Sequence, residues 1–401
     1  MSPSAPSDSP GTAVAVIRAG EVIHQECTGF ADLEWRQPIA PDTVFPLASI
    51  TKSFTALVVQ RLIDLDTTIG AYLSDYPTPG RDVTVRQLLN HTSGIPEQML
   101  IPEFRERRFL THTSEEVLAF FTDLPLDFPP GSRYAYSNTG YWLLGLIIEA
   151  VTGSSYGEAV AEHVFRPAGM ADSRMLDDDA VIPRRARGYA VADGVITATQ
   201  MCSATVTGAA GALLGTLDDM VRYDQFLKGH EFDLASRTPG VLTSGRATNY
   251  GFGWVLGDYR GTPYAAHAGG LDGHTCLYAR FPQEDLSIIL LGNHKGHPIY
   301  QTVLDLAEKF LGLPVPTVPP AGPMPVELAG AYRDHDNVAE LTATGDGLTL
   351  TFARKVRPLR RLDESTLICA DDPDIRLHLH EDGGITVDYP FYLFTGYRDS
   401  P

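Results

Sequence analysis

A serine and a lysine stand three residues apart in PLASITKSF, residues 46 to 54. On a helix, Ser49 and Lys52 would share one face and lie within hydrogen-bonding reach of each other. A serine hydroxyl is a weak nucleophile that needs a neighbouring base, and a buried lysine has its ammonium form disfavoured, so it can take a proton. On this motif alone, a helix N-cap beside a solvated lysine stays an open alternative.

Two further segments carry residues that suit the same chemistry. The stretch GSRYAYSNTGYW contains Tyr136 and Asn138, the only Y-x-N in the chain, in a turn-rich region just ahead of a helical pattern. The stretch YAAHAGGLDG places His267, Gly269 and Gly270 at the end of a predicted strand.

With S-x-x-K, Y-x-N and H-x-G in this order, the chain resembles the family of serine β-lactamases and penicillin-binding proteins. The branch it is most similar to holds class C β-lactamases, D-aminopeptidases and related esterases. The resemblance covers residues 12 to about 312, and LLNHTSGI, FPPGSRYAYSN and YGFGW are also similar to that branch. It implies a β-lactamase-like α/β (α+β) fold and a reaction without a metal or an organic cofactor.

The resemblance also implies roles for individual residues. Ser49 would be the nucleophile that becomes acylated, with Lys52 and Tyr136 as the other catalytic residues; either of these two can be the working base. The substrate-binding residues would be Asn138, His267, Gly269 and Gly270. The backbone N–H groups of Ser49 and Gly270 are expected to form the oxyanion hole.

His267 departs from the β-lactamases of this branch, which carry a lysine at that position. A lysine there is a fixed cation for the substrate carboxylate, whereas a histidine is only fractionally charged near neutral pH. H-x-G is typical of the peptidases and esterases of the branch, so it favours D-amino-acid peptides, amides or carboxylic esters over penicillin-like acids. A structural core histidine, with Gly269 and Gly270 as turn residues, is the alternative interpretation.

The order of predicted elements indicates how these motifs are positioned. Residues 12 to 30 read as two strands joined in a hairpin at Ala19, Gly20 and Glu21, and three strand-like runs follow between 264 and 293. Helical spacing of apolar residues recurs from Ser49 to about Leu65 and in residues 139–153, 216–229 and 299–312. We therefore expect an antiparallel sheet assembled from both ends of the catalytic domain, with a helical insertion between them.

The C-terminal quarter of the chain has a different character. Residues 313–325, LPVPTVPPAGPMP, read as a Pro-rich linker, and residues 326–401 contain about eight short alternating runs separated by Gly and Asp turn clusters. We predict a serine hydrolase domain over residues 1–312 and a small antiparallel β-barrel over 326–401, which resembles the lipocalin-like appendages of D-aminopeptidases and peptide-cyclising thioesterases.

Composition and charge restrict the partners. The formal net charge of −19 argues against nucleic acid and anionic membranes, since such a surface repels phosphate. The first residues show no secretory signal and no stretch is long enough to span a bilayer, so a cytoplasmic location is expected unless a leader was trimmed. The four cysteines are far apart without C-x-x-C spacing, which favours reduced thiols.

We predict a serine hydrolase that acts through an acyl-enzyme on a small-molecule or peptide substrate. The ranking of substrates is a D-residue peptide or amide, then a carboxylic ester, then peptide thioester cyclisation, then a β-lactam. A catalytically silent penicillin-binding sensor is the competing hypothesis. The sequence GSSYG also fits a G-x-S-x-G nucleophile elbow at Ser155, but it follows a helix where an elbow needs a strand.

Overall fold

The computed structural model describes residues 8–77, 80–314, 316–320, 322–334, 337–345 and 347–398. Residues 315 and 321 of the predicted linker lie outside this set. The division of the chain at 313–325 stays a prediction. The strands of the N-terminal three quarters are β1 Thr12–Arg18, β2 Glu21–Thr28, β3 Phe30–Asp32, β4 Gln37–Pro38, β5 Phe45–Pro46, β6 Arg174–Met175, β7 Tyr189–Ala192, β8 Val195–Ala198, β9 Leu213–Gly215, β10 Val255–Tyr259, β11 Thr262–Leu271, β12 His274–Phe281, β13 Leu286–Gly292 and β14 His294–Lys295.

The helices lie mostly between these strands, and a π-helical turn, Ala161–Phe165, connects two of them. Their bounds are α1 Thr51–Leu62, α2 Ile69–Tyr72, α3 Val85–Leu89, α4 Pro102–Arg107, α5 Ser114–Leu118, α6 Asn138–Thr152, α7 Tyr156–Val160, α8 Arg166–Ala168, α9 Ala204–Gly211, α10 Leu217–Leu227, α11 Asp233–Ser236 and α12 Ile299–Leu311. Within the described residues, none of them is long and apolar enough to cross a bilayer.

The central sheet is antiparallel, in the order β10-β11-β12-β13-β1-β2. It joins both ends of the domain, as the sequence predicts, because β1 pairs with β13 along its whole length. Strand β10 was not predicted, because Gly257 and Asp258 interrupt its alternating pattern. The predicted β-lactamase-like fold is confirmed.

Both faces of the sheet are covered, which explains why the central strands are almost continuously apolar. In β1, Ala13, Ala15 and Ile17 face the core shared with α1, α6 and α10, while Val14 and Val16 face α12. The short sheet β5-β9-β6 adds a second support beside the N-terminus of α1. The start of α1 is therefore fixed between the central sheet and the helical layer.

Eight strands close into an antiparallel barrel after α12. Alternate side chains fill its interior, including Leu341, Leu350 and Leu377, so the barrel has a core of its own. Its strands are β15 Gly330–Arg333, β16 Val338–Thr344, β17 Gly347–Phe352, β18 Lys355–Arg361, β19 Thr366–Cys369, β20 Arg376–Leu379, β21 Ile385–Tyr389 and β22 Tyr392–Arg398.

Candidate active site

Ser49 lies in a short 3-10 turn, Ala48–Ile50, that leads directly into α1. Ala48 adopts φ of 44°, in the left-handed region that alanine rarely occupies. The turn is held from outside, because the Leu47 N–H donates to the Leu213 carbonyl at 2.8 Å. Ser49 stays partly exposed while Ala48 and Ile50 are buried, so its hydroxyl is presented to a cavity.

Lys52 is fully buried, and its amine contacts three acceptors. Its Nζ lies 3.2 Å from Ser49 Oγ and 2.9 Å from both Asn138 Oδ1 and the Ala210 carbonyl oxygen. Burial lowers the pKa of Lys52 to about 7, against a smaller opposing effect of the Glu97 carboxylate. A neutral amine would keep its two hydrogen bonds to Asn138 and Ala210 and turn its lone pair to the Ser49 hydroxyl. The geometry therefore suits proton transfer from Ser49 to Lys52.

Asn138 begins α6, and Glu97 fixes its orientation. The Glu97 carboxylate accepts hydrogen bonds from Asn138 Nδ2 at 3.1 Å and from the backbone N–H groups of Asn138 and Thr139 at the helix N-terminus. Because Nδ2 is engaged by a carboxylate, Oδ1 must face Lys52, and the amide cannot be reversed without losing both contacts. Glu97 is 5% exposed and was not identified from the sequence.

Tyr136 completes the group around Ser49. Its ring centroid lies 4.9 Å from Lys52 Nζ. Burial raises the pKa of Tyr136 well above its ordinary value, and the neighbouring Ser49 hydroxyl acts to lower the pKa by less, so the phenol is neutral near pH 7. His91 packs against the Tyr136 ring with centroids 4.4 Å apart, and its Nδ1 accepts the Ser137 N–H. His91 thus supports the Tyr136 segment from behind.

His267 is buried and neutral. Its Nδ1 lies 2.7 Å from the Ala268 carbonyl oxygen, which can only accept, so Nδ1 carries the proton. Its Nε2 then accepts the hydroxyl of Tyr250 at 2.9 Å. Burial, and next the charge of Lys52, lower the pKa of His267 to about 3. The fractional charge expected from an ordinary histidine is therefore absent, and Tyr250 is a partner that the H-x-G pattern alone did not reveal.

Gly269 and Gly270 lie on β11 and have different surroundings. A Cβ on Gly269 would stand 2.5 Å from Cys276 Sγ, 2.9 Å from Ala48 Cβ and 2.9 Å from the Leu47 carbonyl oxygen. A Cβ on Gly270 would meet no atom within 4 Å. Gly269 therefore permits the strand to pack against the Ser49 turn, and Gly270 is exposed at the cavity beyond it.

Two cavities meet at this site. A smaller one of about 120 Å³ is lined by Ser49, Asn138 and Gly270 together with small and apolar residues of α9, such as Val206 and Ala210. A larger one of about 470 Å³ is bounded on one side by Tyr136 and His267. Its other walls include Tyr300, Phe391 and Tyr392, so the barrel contributes directly to the cavity.

The structure thus brings all seven residues that the sequence singles out to one place. Their roles stay predictions. Ser155, by contrast, is exposed and caps α7, because its Oγ accepts the Glu158 backbone N–H at 3.3 Å and donates to Glu158 Oε2 at 2.7 Å, which agrees with the rejection of a nucleophile elbow there. Glu97 and Gln98 are the polar residues of the stretch IPEQMLIP, residues 95–102, and a carboxylate in such a mainly apolar stretch was the signal that could have identified it.

Comparison with known sequences gives a consistent picture. The family described as Beta-lactamase matches residues 4–308. Penicillin-binding protein 4* of Bacillus subtilis (strain 168) is 28% identical over 330 residues, which cover 75% of this chain and 72% of that protein. The D-aminopeptidase of Brucella ovis is 31% identical over 320 residues, covering 76% of this chain and 60% of that enzyme. The match thus spans less than two thirds of the D-aminopeptidase.

Solved structures with the same fold include proteins with and without a matching C-terminal part. An octameric penicillin-binding protein homologue from Pyrococcus abyssi superposes with a TM-score of 0.66 at 24% identity, over 96% of both chains. The D-amino acid amidase of Ochrobactrum anthropi SV3 in complex with L-phenylalanine superposes with a TM-score of 0.64 at 25% identity, over 75% of this chain and 94% of the amidase.

Proposed function

Because the chain is a serine hydrolase of the beta-lactamase family, we propose that it cleaves D-aminoacyl amides and peptides through an acyl-enzyme on Ser49. The charge of the substrate cavity is the observation that carries this proposal. Among the described residues that line it, Glu97 and Asp334 bear carboxylates, and no Arg or Lys is present. Such a cavity attracts the free α-ammonium group of an aminoacyl substrate and repels a carboxylate.

The neutral state of His267 supports the same conclusion. A penicillin-like substrate presents a carboxylate, and the position where a cation would receive it holds an imidazole whose two nitrogens are committed to Ala268 and Tyr250. Amides and peptides with a free amino group need no cation at this position. The names of the relatives, D-aminopeptidase and D-amino acid amidase, support D-residues as the acyl group.

The reaction follows from the contacts of Ser49. Its Oγ attacks the substrate carbonyl carbon while its proton passes to Lys52, directly or with Tyr136 as relay. Backbone N–H groups of Ser49 and Gly270 receive the negative oxygen, a contribution of several kcal/mol in comparable sites. The C–N bond breaks as Tyr136 delivers the proton to the departing nitrogen. Water then attacks the Ser49 ester by the reverse proton path and releases the acid.

The proposal is tested by profiling paired D- and L-aminoacyl amides, their N-acetyl derivatives and short-chain esters. We expect D-aminoacyl amides with a free amino group to have the highest kcat/KM, and Ser49→Ala to abolish every activity. The matched control Ser155→Ala should retain at least half of the activity, because that hydroxyl only caps a helix.

Other results would assign a different function. Turnover of esters alone would indicate a carboxylesterase, and hydrolysis of penicillins would indicate a β-lactamase. Release of one equivalent of product followed by arrest would indicate a silent penicillin-binding sensor. Full activity of Ser49→Ala would reject the site itself.

A further inference from the structure

A third cavity adjoins the catalytic one at the mouth of the barrel. It measures about 300 Å³, and three of its lining residues, Tyr300, Asn337 and Tyr392, also line the catalytic cavity. Its remaining walls come from the barrel and from the turn between β17 and β18: Leu350, Phe352, Ala353, Lys355, Arg357, Ile375 and Tyr389. No step of the hydrolysis described above uses this space.

The two cavities at the nucleophile indicate which part of the substrate reaches toward the barrel. Ser49 lines the cavity of about 120 Å³, whereas Tyr136 lines the one of about 470 Å³. In the proposed function, Tyr136 hands the proton to the departing nitrogen, so the leaving group lies in the larger cavity. The acyl side chain is then left with the smaller cavity, which has room for a small group, while the α-ammonium group lies where the two cavities meet, next to Asn138 and on the side of Glu97.

Aromatic side chains form a continuous wall from the catalytic cavity into the barrel mouth. The ring of Tyr300 lies 6.2 Å from that of Tyr392 and 6.1 Å from that of Tyr389. The ring of Phe352 lies 6.2 Å from Tyr392. Leu350 and Ile375 extend this apolar lining into the barrel. An apolar chain that follows the wall would remove carbon surface from water along its whole length.

We propose that the barrel mouth is a binding site for the distal, apolar part of the leaving group. This inference rests on the proposed function and specifies its substrate class: a small D-aminoacyl group joined to a long apolar amine or peptide. The hydrolytic step is unchanged, since the amide C–N bond breaks and the amine leaves with the proton first taken from Ser49. Selectivity for the length of the leaving group then comes from the barrel mouth and not from Ser49, Lys52 and Tyr136.

A homologous series of substrates measures this site. The series is D-alanyl n-alkylamides from methyl to octyl, with kcat/KM determined for each. A buried methylene is worth up to about fourfold in affinity, so several of them give a large effect. We expect the octylamide to exceed the methylamide by at least tenfold. Equal kcat/KM across the series would overturn the proposal.

A matched pair of variants assigns the effect to the barrel mouth. Ala353 lines the mouth, is exposed and has φ of 49° in its turn, so Ala353→Trp narrows the cavity outside the barrel core. A ratio of two substrates cancels any loss of folded protein that the strained turn causes. Val356, on the outer face of β18, is 66% exposed, and Val356→Trp is the control. We expect Ala353→Trp to reduce the octyl-to-methyl ratio at least fivefold and Val356→Trp to leave it unchanged. An unchanged ratio in Ala353→Trp would contradict the proposal.

A second variant removes a wall of the cavity. Phe352→Ala should also reduce the octyl-to-methyl ratio at least fivefold, and equal losses for both substrates would count against the site. If no D-aminoacyl amide is turned over, the proposed function fails, and the same alkyl series prepared as acetate esters then tests the barrel mouth alone. A length preference among esters would keep the barrel site, and its absence would reject it.

Discussion

At the scale of single residues, the central feature is the amine of Lys52, which is buried in surroundings that disfavour its protonated form. Lys52 is enclosed by Ser49, Asn138 and the Ala210 carbonyl. The Glu97 carboxylate, which accepts hydrogen bonds from N–H groups at the start of α6, opposes the effect of burial on the pKa of Lys52 only in part. The contacts stabilise the position of the amine, while burial disfavours the ammonium form. About half of the Lys52 amine is thus neutral at pH 7, which suits a general base.

The first prediction concerns pH. Since burial lowers the pKa of Lys52 to about 7, the neutral base is depleted below this pH and predominates above it. For an ester without a titratable group, kcat/KM should rise with pH along an acid limb with an apparent pKa near 7, then level off. A pH-independent rate between pH 6 and 8 would contradict this.

Two variants give the matching control for the pH prediction. Lys52→Ala should lose on the order of 100-fold in kcat/KM. Lys52→Arg keeps a positive charge but cannot release a proton in this range, so it should be as inactive as Lys52→Ala. Retention of activity by Lys52→Arg would indicate that the cation matters and that Tyr136 is the base.

The second prediction concerns Glu97 as a positioning residue. Its carboxylate raises the pKa of Lys52 and fixes the Asn138 amide. Glu97→Gln should move the acid limb of the pH profile to lower pH and reduce kcat, because the anion is lost and Asn138 is less well held. Glu115→Gln, at an exposed position in α5, should change neither quantity. If kcat falls but the acid limb of the pH profile does not move, Glu97 has only a structural role.

At the scale of elements, the nucleophile depends on how closely β11 approaches the start of α1. Ala48 takes a left-handed conformation, and the strand beside it carries a glycine where a Cβ would overlap Ala48 and Leu47. Strain in such a turn persists only when its surroundings hold it. The Ser49 turn is held by the pairing of β5 with β9 and by the hydrogen bond to the Leu213 carbonyl. Gly269, which has no side chain, lets β11 pack directly against the turn.

The third prediction compares the two neighbouring glycines. Gly269→Ala inserts a methyl group within 2.5 Å of Cys276 Sγ and 2.9 Å of the Leu47 carbonyl oxygen, so the Ser49 turn or the strand must move. It should lower the free energy of unfolding by about 1 to 3 kcal/mol and reduce kcat. Gly270→Ala enters open space and should change the free energy of unfolding by less than about 0.5 kcal/mol. Denaturant unfolding and kinetics of both variants measure the contrast, and equal losses would refute it.

At the scale of the whole molecule, polar and apolar contacts join the barrel to the part of the chain that precedes it. Arg260, whose side chain is 6% exposed, binds Asp374 at 2.7 Å and Glu308 at 2.5 Å. The tip of the β21–β22 hairpin enters the catalytic domain, where Phe391 is 1% exposed and its ring lies 5.0 Å from that of Tyr264. This contact places Tyr392 in the wall of the catalytic cavity.

The fourth prediction concerns this hairpin tip. Phe391→Ala removes a fully buried aromatic side chain from the cluster on α12 and β11, and large-to-small changes of this kind cost about 3 to 5 kcal/mol. We expect a lower midpoint of denaturant unfolding and an increase of KM for long substrates. Leu362→Ala, at a 45% exposed barrel position, is the control. Similar midpoints for both variants would show that the tip does not anchor the barrel.

The sequence by itself determined the motifs, their order and the antiparallel fold. Alternating and helical periodicities are local properties, and so they predicted the β1–β2 hairpin, the helices that follow Ser49 and Asn138, and the barrel. The fixed spacing of Ser49 and Lys52 on one helix face is local as well. Strand β10 was missed because Gly257 and Asp258 interrupt the local pattern.

Only the tertiary structure decided the chemical state of the site. The position of the Lys52 amine depends on the Ala210 carbonyl, the orientation of Asn138 depends on Glu97, and the partner of His267 Nε2 is Tyr250. The two residues of each pair lie far apart along the chain, at separations that match no helical or strand period. The sequence pattern therefore does not predict these contacts. Desolvation is the main cause of the lowered pKa values of Lys52 and His267. It arises only in the packed interior, where segments that are distant in sequence exclude water together.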